Sequence, residues 1–172
     1  PYFKDSAYTE YSLSRCLRSA PMTGSLLVQN TTMVLPDRVV EGDLRVVSGM
    51  IKTVATQGGL VPTSGEVVID GTGLHLLPGA IDPHVHFRDP GNPEKEDLES
   101  GSRAAAAGGV TSFLDMPNTV PNATNRAALE AKIALASQKA VTHHGFFVGA
   151  TNNNVADMQS VEGMDGVCGI KI

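Results

Sequence analysis

The spacing of hydrophobic and polar positions changes near Pro78. From Ser25 to about Leu77, short apolar runs alternate with turn residues, and they predict strands over SLLVQN, TMVL, DLRVV, MIKTVA, EVVID and LHLLP. Ser48-Gly49, between LRVV and MIKTVA, is typical of a hairpin turn because glycine readily adopts positive φ. The pattern therefore predicts a small antiparallel β subdomain over residues 22–79.

After Pro78-Gly79, strand-like segments alternate with helix-like ones. Strands are predicted over 80–87, 110–116, 145–150 and 166–172. Helices are predicted over EDLESGSRAAAA before Gly108-Gly109, over 126–140 and over 155–161. In the second helix Leu129, Ile133 and Ala136 share one face, and Thr124 or Asn125 can act as its N-cap. Such alternation is typical of βαβ units with a parallel sheet.

The length of the second region limits its architecture. A closed (β/α)8 barrel takes about 250 residues, whereas residues 80–172 hold four predicted strands. We therefore predict an α/β fold, the first half of a (β/α)8 TIM-type barrel, preceded by the β subdomain. Because the pattern stops inside a strand, we expect a fragment of a longer protein rather than an open sheet completed by another chain. Residues 1–21, which precede Met22, are expected to be a poorly ordered leader or upstream segment.

Charge and composition narrow the classes of partner. The chain has 13 Lys and Arg against 18 Asp and Glu, a net charge of −5, which disfavours nucleic acid and anionic membranes as partners. No apolar run approaches the roughly 20 residues that cross a bilayer. The N-terminal stretch has no secretory signal pattern, and Cys16 and Cys168 cannot form a disulfide framework. We expect a cytoplasmic protein with a small-molecule substrate. The sequence does not decide whether it forms a homo-oligomer.

The candidate chemistry is concentrated in the segment Asp82-Pro-His84-Val-His86-Phe-Arg88. Side chains two residues apart in a strand point to the same face, so His84 and His86 project together and Arg88 continues that line. Two imidazoles on one strand can chelate a divalent metal such as Zn²⁺, and barrel active sites form at the carboxyl ends of strands. The alternative is a pair of structural histidines, which a bare His-x-His does not exclude.

Several short sequence motifs, which occur in a fixed order, resemble those of a known family: HVHFRDPG, SGSRAAAAGGVTS, DMPNT, FFVGATNNN and GIK. Together they resemble the dihydroorotases of the amidohydrolase superfamily, most densely over residues 78–119. The resemblance implies that His84 and His86 bind metal and that Arg88 and Asn118 bind the substrate carboxylate. A planar guanidinium suits such a bidentate contact. Taken alone, Arg88 could instead form a surface ion pair with Asp89 or Glu94, and Asn118 could be a turn residue.

Lys171 is the last candidate residue. It shares a strand face with residues 167 and 169, and a desolvated lysine can lose its proton and react with CO₂. The resemblance implies a carboxylated Lys171 that bridges two metal ions, expected to be zinc, and so acts as both a metal ligand and a catalytic group. An ordinary lysine near a strand end is the alternative interpretation.

The resemblance implies a dihydroorotase, which catalyses the reversible hydrolysis of L-dihydroorotate to N-carbamoyl-L-aspartate in de novo pyrimidine biosynthesis. The remaining ligands and the general acid/base Asp are expected beyond Ile172, so these residues alone are expected to be inactive. The alternatives are another cyclic amidohydrolase, an allantoinase or hydantoinase, and a non-catalytic dihydroorotase-like assembly subunit. Arg88 and the MPNT word favour dihydroorotase, and intact His84, His86 and Lys171 disfavour the non-catalytic subunit.

The remaining polar residues are expected to be structural. We expect His143 and His144 to be solvated loop residues, His75 to be structural and Cys168 to pack rather than react. Asp115 is expected either to tie down a loop or to take part in catalysis. Asn152 to Asn154 form a polar turn that could line the pocket.

Overall fold

The computed structural model describes residues 23–172, so the predicted leader over 1–21 lies outside the described residues. The described chain divides between Pro78 and Gly79 into two compact units. Each unit contains its own sheet.

The first unit is a five-stranded mixed sheet. Its strands are β1 (Ser25–Val34), β2 (Val39–Val47), β3 (Met50–Thr56), β4 (Val67–Asp70) and β5 (His75–Leu76). The order is β3-β2-β1-β4, and β5 also pairs with β1. The β1–β2 and β2–β3 pairs are antiparallel as predicted, whereas β4 and β5 join β1 in parallel. The hairpin pattern had predicted only antiparallel strands, because the crossover through residues 57–66 leaves no local signal of strand direction.

A bulge joins two predicted strands into one. The runs SLLVQN and TMVL form the single strand β1, with a register shift between Val28 and Thr31. Asn30 adopts a φ of 57° there, and its backbone N–H donates to the buried carboxylate of Asp43 over 2.9 Å. Asp43 therefore satisfies a backbone donor that the bulge removes from the sheet ladder.

The second unit, Gly79–Ile172, alternates strands with helices. Its elements are β6 (Ala80–Val85), α1 (Leu98–Ala107), β7 (Val110–Asp115), α2 (Arg126–Lys139), β8 (His143–Gly149), α3 (Val155–Ser160) and β9 (Val167–Lys171). The sheet order is β6-β7-β8-β9, with every neighbouring pair parallel. The predicted alternation and parallel sheet are confirmed.

Local sequence explains where the two longer helices begin. The Asp97 carboxylate accepts a hydrogen bond from Ser100 N, and the Asn125 side chain accepts one from Ala128 N. Each cap satisfies an N–H group that has no partner inside the helix. Of the two predicted N-caps for α2, the structure selects Asn125.

The core of this unit lies between the sheet and the helices. It includes Phe87, Leu98, Phe113, Ala123, Leu129, Ala136, Phe146, Val148 and Val161. The rings of Phe87 and Phe113 meet edge to face, with centroids 4.7 Å apart. Phe87 directly follows His86, so this packing holds the backbone next to a candidate ligand.

Candidate metal and substrate site

The candidate residues lie at or beyond the carboxyl ends of parallel strands. His84 lies in β6, and His86 is one residue past its end. Asn118 follows β7 by three residues, and Lys171 ends β9. The end of β6 pairs with the end of β7 through Val85 and Asp115, which brings the two following loops together.

The two histidines meet at their Nε2 atoms, which lie 3.2 Å apart. Their ring planes are tilted by 49°, with ring centroids 5.1 Å apart. Both side chains are exposed among the described residues. Two imidazole nitrogens at this separation can share a proton or bind the same cation.

Asn118 fixes the orientation of the second ring. His86 Nδ1 lies 2.8 Å from Asn118 Oδ1. Because an amide oxygen only accepts hydrogen bonds, His86 must carry its proton on Nδ1 and donate it. Of the two neutral tautomers, this hydrogen bond selects the one that carries the lone pair on Nε2, towards His84, which is the tautomer that a metal ligand needs.

The separation of the two Nε2 atoms fits one tetrahedral zinc ion. Two nitrogens that each lie roughly 2.0–2.1 Å from such an ion are about 3.3 Å apart, and the observed separation is 3.2 Å. Within residues 23–172, however, no three His, Cys, Asp or Glu side chains cluster closely enough to hold a metal. The two histidines can therefore provide part of a coordination sphere that needs further ligands.

The loop after His86 holds the backbone of Arg88 on both sides. Arg88 N donates to Glu96 O over 2.9 Å, and Arg88 O accepts from Asn92 N over 2.8 Å. Asp89, considered above as an ion-pair partner for Arg88, pairs instead with Lys139 Nζ at 2.7 Å. The hydrogen bond and charge of Asp89 raise the pKa of Lys139. The half-buried Arg88 is thus carried by a folded loop that is bound to α2.

A buried ion pair lies below the histidines and Asn118. Asp115 Oδ2 and Lys132 Nζ are 2.9 Å apart, with side-chain exposures of 0% and 1%. Burial raises the pKa of the Asp115 carboxyl, and the Lys132 charge opposes that rise. Burial likewise lowers the pKa of Lys132, against the effect of Asp115. Of the two roles considered for Asp115, the structure shows contacts that tie down a loop.

Lys132 is a buried charged residue that the sequence pattern did not predict. It was not among the apolar positions assigned to the buried face, but it lies three residues after Leu129 and four before Ala136, both buried. That spacing places it on their face of α2. A lysine at a position whose helical neighbours are apolar could therefore have indicated a buried cation. Ile133, which was predicted to lie on the buried face, is only half-buried.

Lys171 is not brought to the histidine pair by any contact among the described residues. It lies at the end of β9, the opposite edge strand of the sheet from β6, and its side chain is exposed. Its backbone carbonyl accepts a hydrogen bond from Ala150 N over 2.8 Å. The structure thus places Lys171 at the expected end of the sheet, and its role stays a proposal.

One expectation about the histidines is wrong. His144 is not a solvated loop residue: it lies within β8, is 2% exposed and packs between the rings of Phe113 and Phe146. The strand begins two residues earlier than the apolar run suggested, which turns His144 inward and leaves His143 exposed.

The side chain of Asn154 connects two loops through hydrogen bonds. Its Nδ2 donates to Thr124 O and Gly149 O over 2.8 and 2.9 Å, and its Oδ1 accepts from Thr151 N. With its amide occupied in this way, Asn154 joins the loop after β8 to the segment before α2. The pocket-lining role considered for Asn152 to Asn154 therefore does not extend to the buried Asn154.

No helix formed by residues 23–172 combines the length and apolar character needed to traverse a lipid bilayer.

The sequence of this chain is similar to that of a known protein family and to those of several individual relatives. The sequence profile of the amidohydrolase family matches residues 75–167, more than half of the chain. An allantoinase of Desulfitobacterium hafniense is 36% identical over 147 residues, covering 85% of this chain and 32% of the relative. A dihydroorotase of Methanothermobacter thermautotrophicus is 50% identical over 93 residues, covering 54% of this chain and 21% of the relative.

Solved structures show the same fold. The L-hydantoinase (dihydropyrimidinase) of Arthrobacter aurescens superposes with a TM-score of 0.78 at 27% identity, covering 87% of this chain and 32% of that structure. This likeness confirms the predicted partial barrel with its preceding β unit. The chain spans about a third of the length of such relatives.

Proposed function

Because the chain belongs to the amidohydrolase family, we propose that the complete protein is a metal-dependent hydrolase of cyclic amides with L-dihydroorotate as substrate. The observation that carries this proposal is the arrangement of His84, His86 and Asn118. Two convergent imidazole nitrogens, one of them oriented by an amide oxygen, form a metal-binding edge beside a loop that carries Arg88.

The histidines would hold a zinc ion through their Nε2 atoms. When bound, zinc supplies Lewis acidity that activates both water and an amide carbonyl. Ring opening adds the elements of water across the ring amide C–N bond and leaves a carboxylate and a ureido nitrogen. The chain's own contribution is to hold His86 in the Nδ1–H tautomer, which leaves Nε2 as the nitrogen that can bind the metal.

Arg88 and Asn118 would select and orient the substrate. Dihydroorotate carries a carboxylate, whereas the allantoin and unsubstituted hydantoin rings carry none. A guanidinium can bind a carboxylate through two parallel hydrogen bonds. With its Oδ1 occupied by His86, Asn118 can use only its Nδ2 donors towards a substrate anion, which suits the same group. Orientation by these two residues would present the ring amide to the activated water.

Lys171 would complete the site as a carbamate. Attack of its neutral amine on CO₂ forms a C–N bond and releases one proton, giving an anion able to bridge two zinc ions. The position of Lys171 at the carboxyl end of β9 supports this proposal. Its test is the zinc content of Lys171→Ala in the full-length protein, which we expect to fall from two ions per subunit to one or none. Unchanged content would contradict the bridging role.

An allantoinase activity is the second candidate, because the allantoinase relative matches the chain over a longer stretch than the dihydroorotase relative does. The decisive experiment compares kcat/KM of the full-length, zinc-loaded protein for L-dihydroorotate, allantoin and hydantoin. We expect dihydroorotate to be preferred by about 10–100-fold, because a hydrogen bond to a charged group contributes about 1.5–3 kcal/mol. Preference for allantoin or hydantoin would overturn the substrate assignment and leave the metal site in place. Failure to hydrolyse any of the three would favour a non-catalytic subunit.

A further inference from the structure

One carboxylate oxygen joins the two segments that carry His86 and Asn118. Asp115 Oδ1 accepts hydrogen bonds from Phe87 N and from Met116 N, each over 3.0 Å. Phe87 is the neighbour of His86 along the chain, and Met116 lies two residues before Asn118. Asp115 Oδ1 therefore links the backbone next to His86 to the backbone that leads to Asn118.

Lys132 in turn fixes that carboxylate and the same backbone. Its Nζ lies 2.9 Å from Asp115 Oδ2 and donates to Met116 O over 2.8 Å. The ammonium group also lies 5.0 Å from the centre of the Phe146 ring. Since Met116 N also donates to Val85 O, both the backbone N–H and the backbone C=O of Met116 are hydrogen-bonded. This leaves little freedom in the loop that leads to Asn118.

We propose that Asp115 and Lys132 are positioning residues, which preserve the hydrogen bond between His86 and Asn118 and thereby keep His86 in its metal-binding tautomer. This inference rests on the proposed metal site. It assigns a role to two charged groups that are buried below the site and contact neither histidine nor Asn118 directly.

Positioning and mere stabilisation predict different results. Replacing a buried ion pair with apolar residues of similar volume is frequently neutral for stability. An apolar replacement of Asp115 and Lys132 can therefore fold, yet it removes the side-chain acceptor of the Phe87 amide and leaves Met116 N with Val85 O alone. If the pair only stabilises the fold, zinc affinity of the folded protein stays constant whichever residues replace it.

The experiment compares two double variants of the full-length protein. Asp115→Asn with Lys132→Met removes both charges and retains an oxygen acceptor, whereas Asp115→Leu with Lys132→Met removes the charges and the acceptor. Zinc affinity is measured by competition with a chelator. The tautomer of His86 is measured in the metal-free protein by long-range ¹H–¹⁵N NMR, a readout that requires neither metal nor turnover.

We expect the Asn-containing variant to bind zinc within about three-fold of wild type and to keep the Nδ1–H tautomer of His86. The Leu-containing variant should bind zinc at least about 10-fold more weakly, as is typical when a partner of a ligating histidine is lost, and should show both tautomers. Equal zinc affinity and equal tautomers in the two variants would overturn the proposal.

A third variant keeps the test decisive if the Leu-containing protein does not fold. Asp115→Glu retains the charge opposite Lys132 and displaces the acceptor by one methylene, so zinc affinity should again fall at least about 10-fold; wild-type affinity would overturn the proposal. A wild-type protein that binds no zinc, but whose variants still differ in His86 tautomer, would contradict the metal site while supporting the positioning role. Wild-type zinc binding with no difference among the variants would contradict the positioning role alone.

Discussion

His86 donates its Nδ1 proton to the side-chain oxygen of Asn118 across 2.8 Å. Asn118 thus has two available functions: its oxygen orients a candidate metal ligand, and its Nδ2 donors can face a substrate. The resemblance implied only the second function. The two functions can be separated because different atoms of one amide perform them.

Substitution of Asn118 tests this division. Asn118→Ala removes the acceptor, and we expect zinc affinity to fall about 10–100-fold. Asn118→Asp keeps an oxygen for His86 but adds a negative charge, so it should bind zinc nearly normally and show a raised KM for the anionic substrate. Chelator competition and steady-state kinetics measure the two effects. If Asn118→Ala bound zinc as tightly as wild type does, the orienting role would be wrong.

Arg88 provides a test of substrate recognition that leaves the metal ligands intact. A hydrogen bond to a charged group contributes about 1.5–3 kcal/mol, so Arg88→Met should lower kcat/KM for L-dihydroorotate by about 10–100-fold. Arg88→Lys keeps the charge without the planar fork and should recover part of this loss. Zinc content serves as the control and should not change in either variant. Wild-type kinetics for Arg88→Met would exclude a contact with the substrate carboxylate.

The close packing of α1 against Phe87 gives a prediction for stability. A Cβ atom at Gly101 would lie 2.6 Å from Cε1 of the Phe87 ring. Gly101→Ala should therefore destabilise the protein by about 1–3 kcal/mol through overpacking, which exceeds the gain of about 1 kcal/mol in helix propensity. Urea unfolding measures the difference.

Gly108, the C-cap of the same helix, provides the matched control. There the nearest atom to an added Cβ is Ala105 O at 3.5 Å, and the backbone φ is −87°. Gly108→Ala should consequently be neutral or slightly stabilising. If both alanine variants unfolded at the same urea concentration, the close approach of α1 to Phe87 would not limit stability.

The first unit contains a carboxylate whose titration should appear in acid unfolding. Hydrogen bonds from Arg45 first, and then from Ser25, lower the pKa of Glu66 from 4.5 to about 2. Because the folded-state pKa is the lower one, the stabilisation is fully present above the ordinary value of 4.5 and is lost as the pH falls through about 2. Glu66→Gln should flatten the loss of stability over that range, as measured by urea unfolding at several pH values. An unchanged pH profile would contradict this assignment.

The alternation of strands and helices could be read from the sequence, because apolar spacing, glycine turns and N-caps are local signals. The alternation of side chains along a strand also predicted that His84 and His86 project to the same side. The two rings do meet, although β6 ends at Val85. The parallel direction of β4 and β5 had no such signal. Strand direction across a crossover depends on packing, which spacing alone does not determine.

The candidate site was predictable in its residue types and less so in its internal contacts. His84, His86 and Asn118 were identified from spacing and resemblance, but the hydrogen bond between His86 and Asn118 joins residues 32 positions apart. The ion pair of Asp115 with Lys132 could likewise not be predicted from local sequence, because it forms only when α2 packs on the sheet. Side-chain partners of this kind follow from tertiary structure, whereas each residue alone has a common structural explanation.

If His84 and His86 form a metal-binding pair, the zinc content of the protein must depend on both residues. The measurement is zinc per subunit after exhaustive dialysis of full-length wild type, His84→Ala, His86→Ala and the control His143→Ala, whose histidine is exposed at the start of β8. We expect bound zinc in wild type and in His143→Ala, and loss of at least one ion in each of the other two variants. Zinc content that is equal in all four proteins would contradict it.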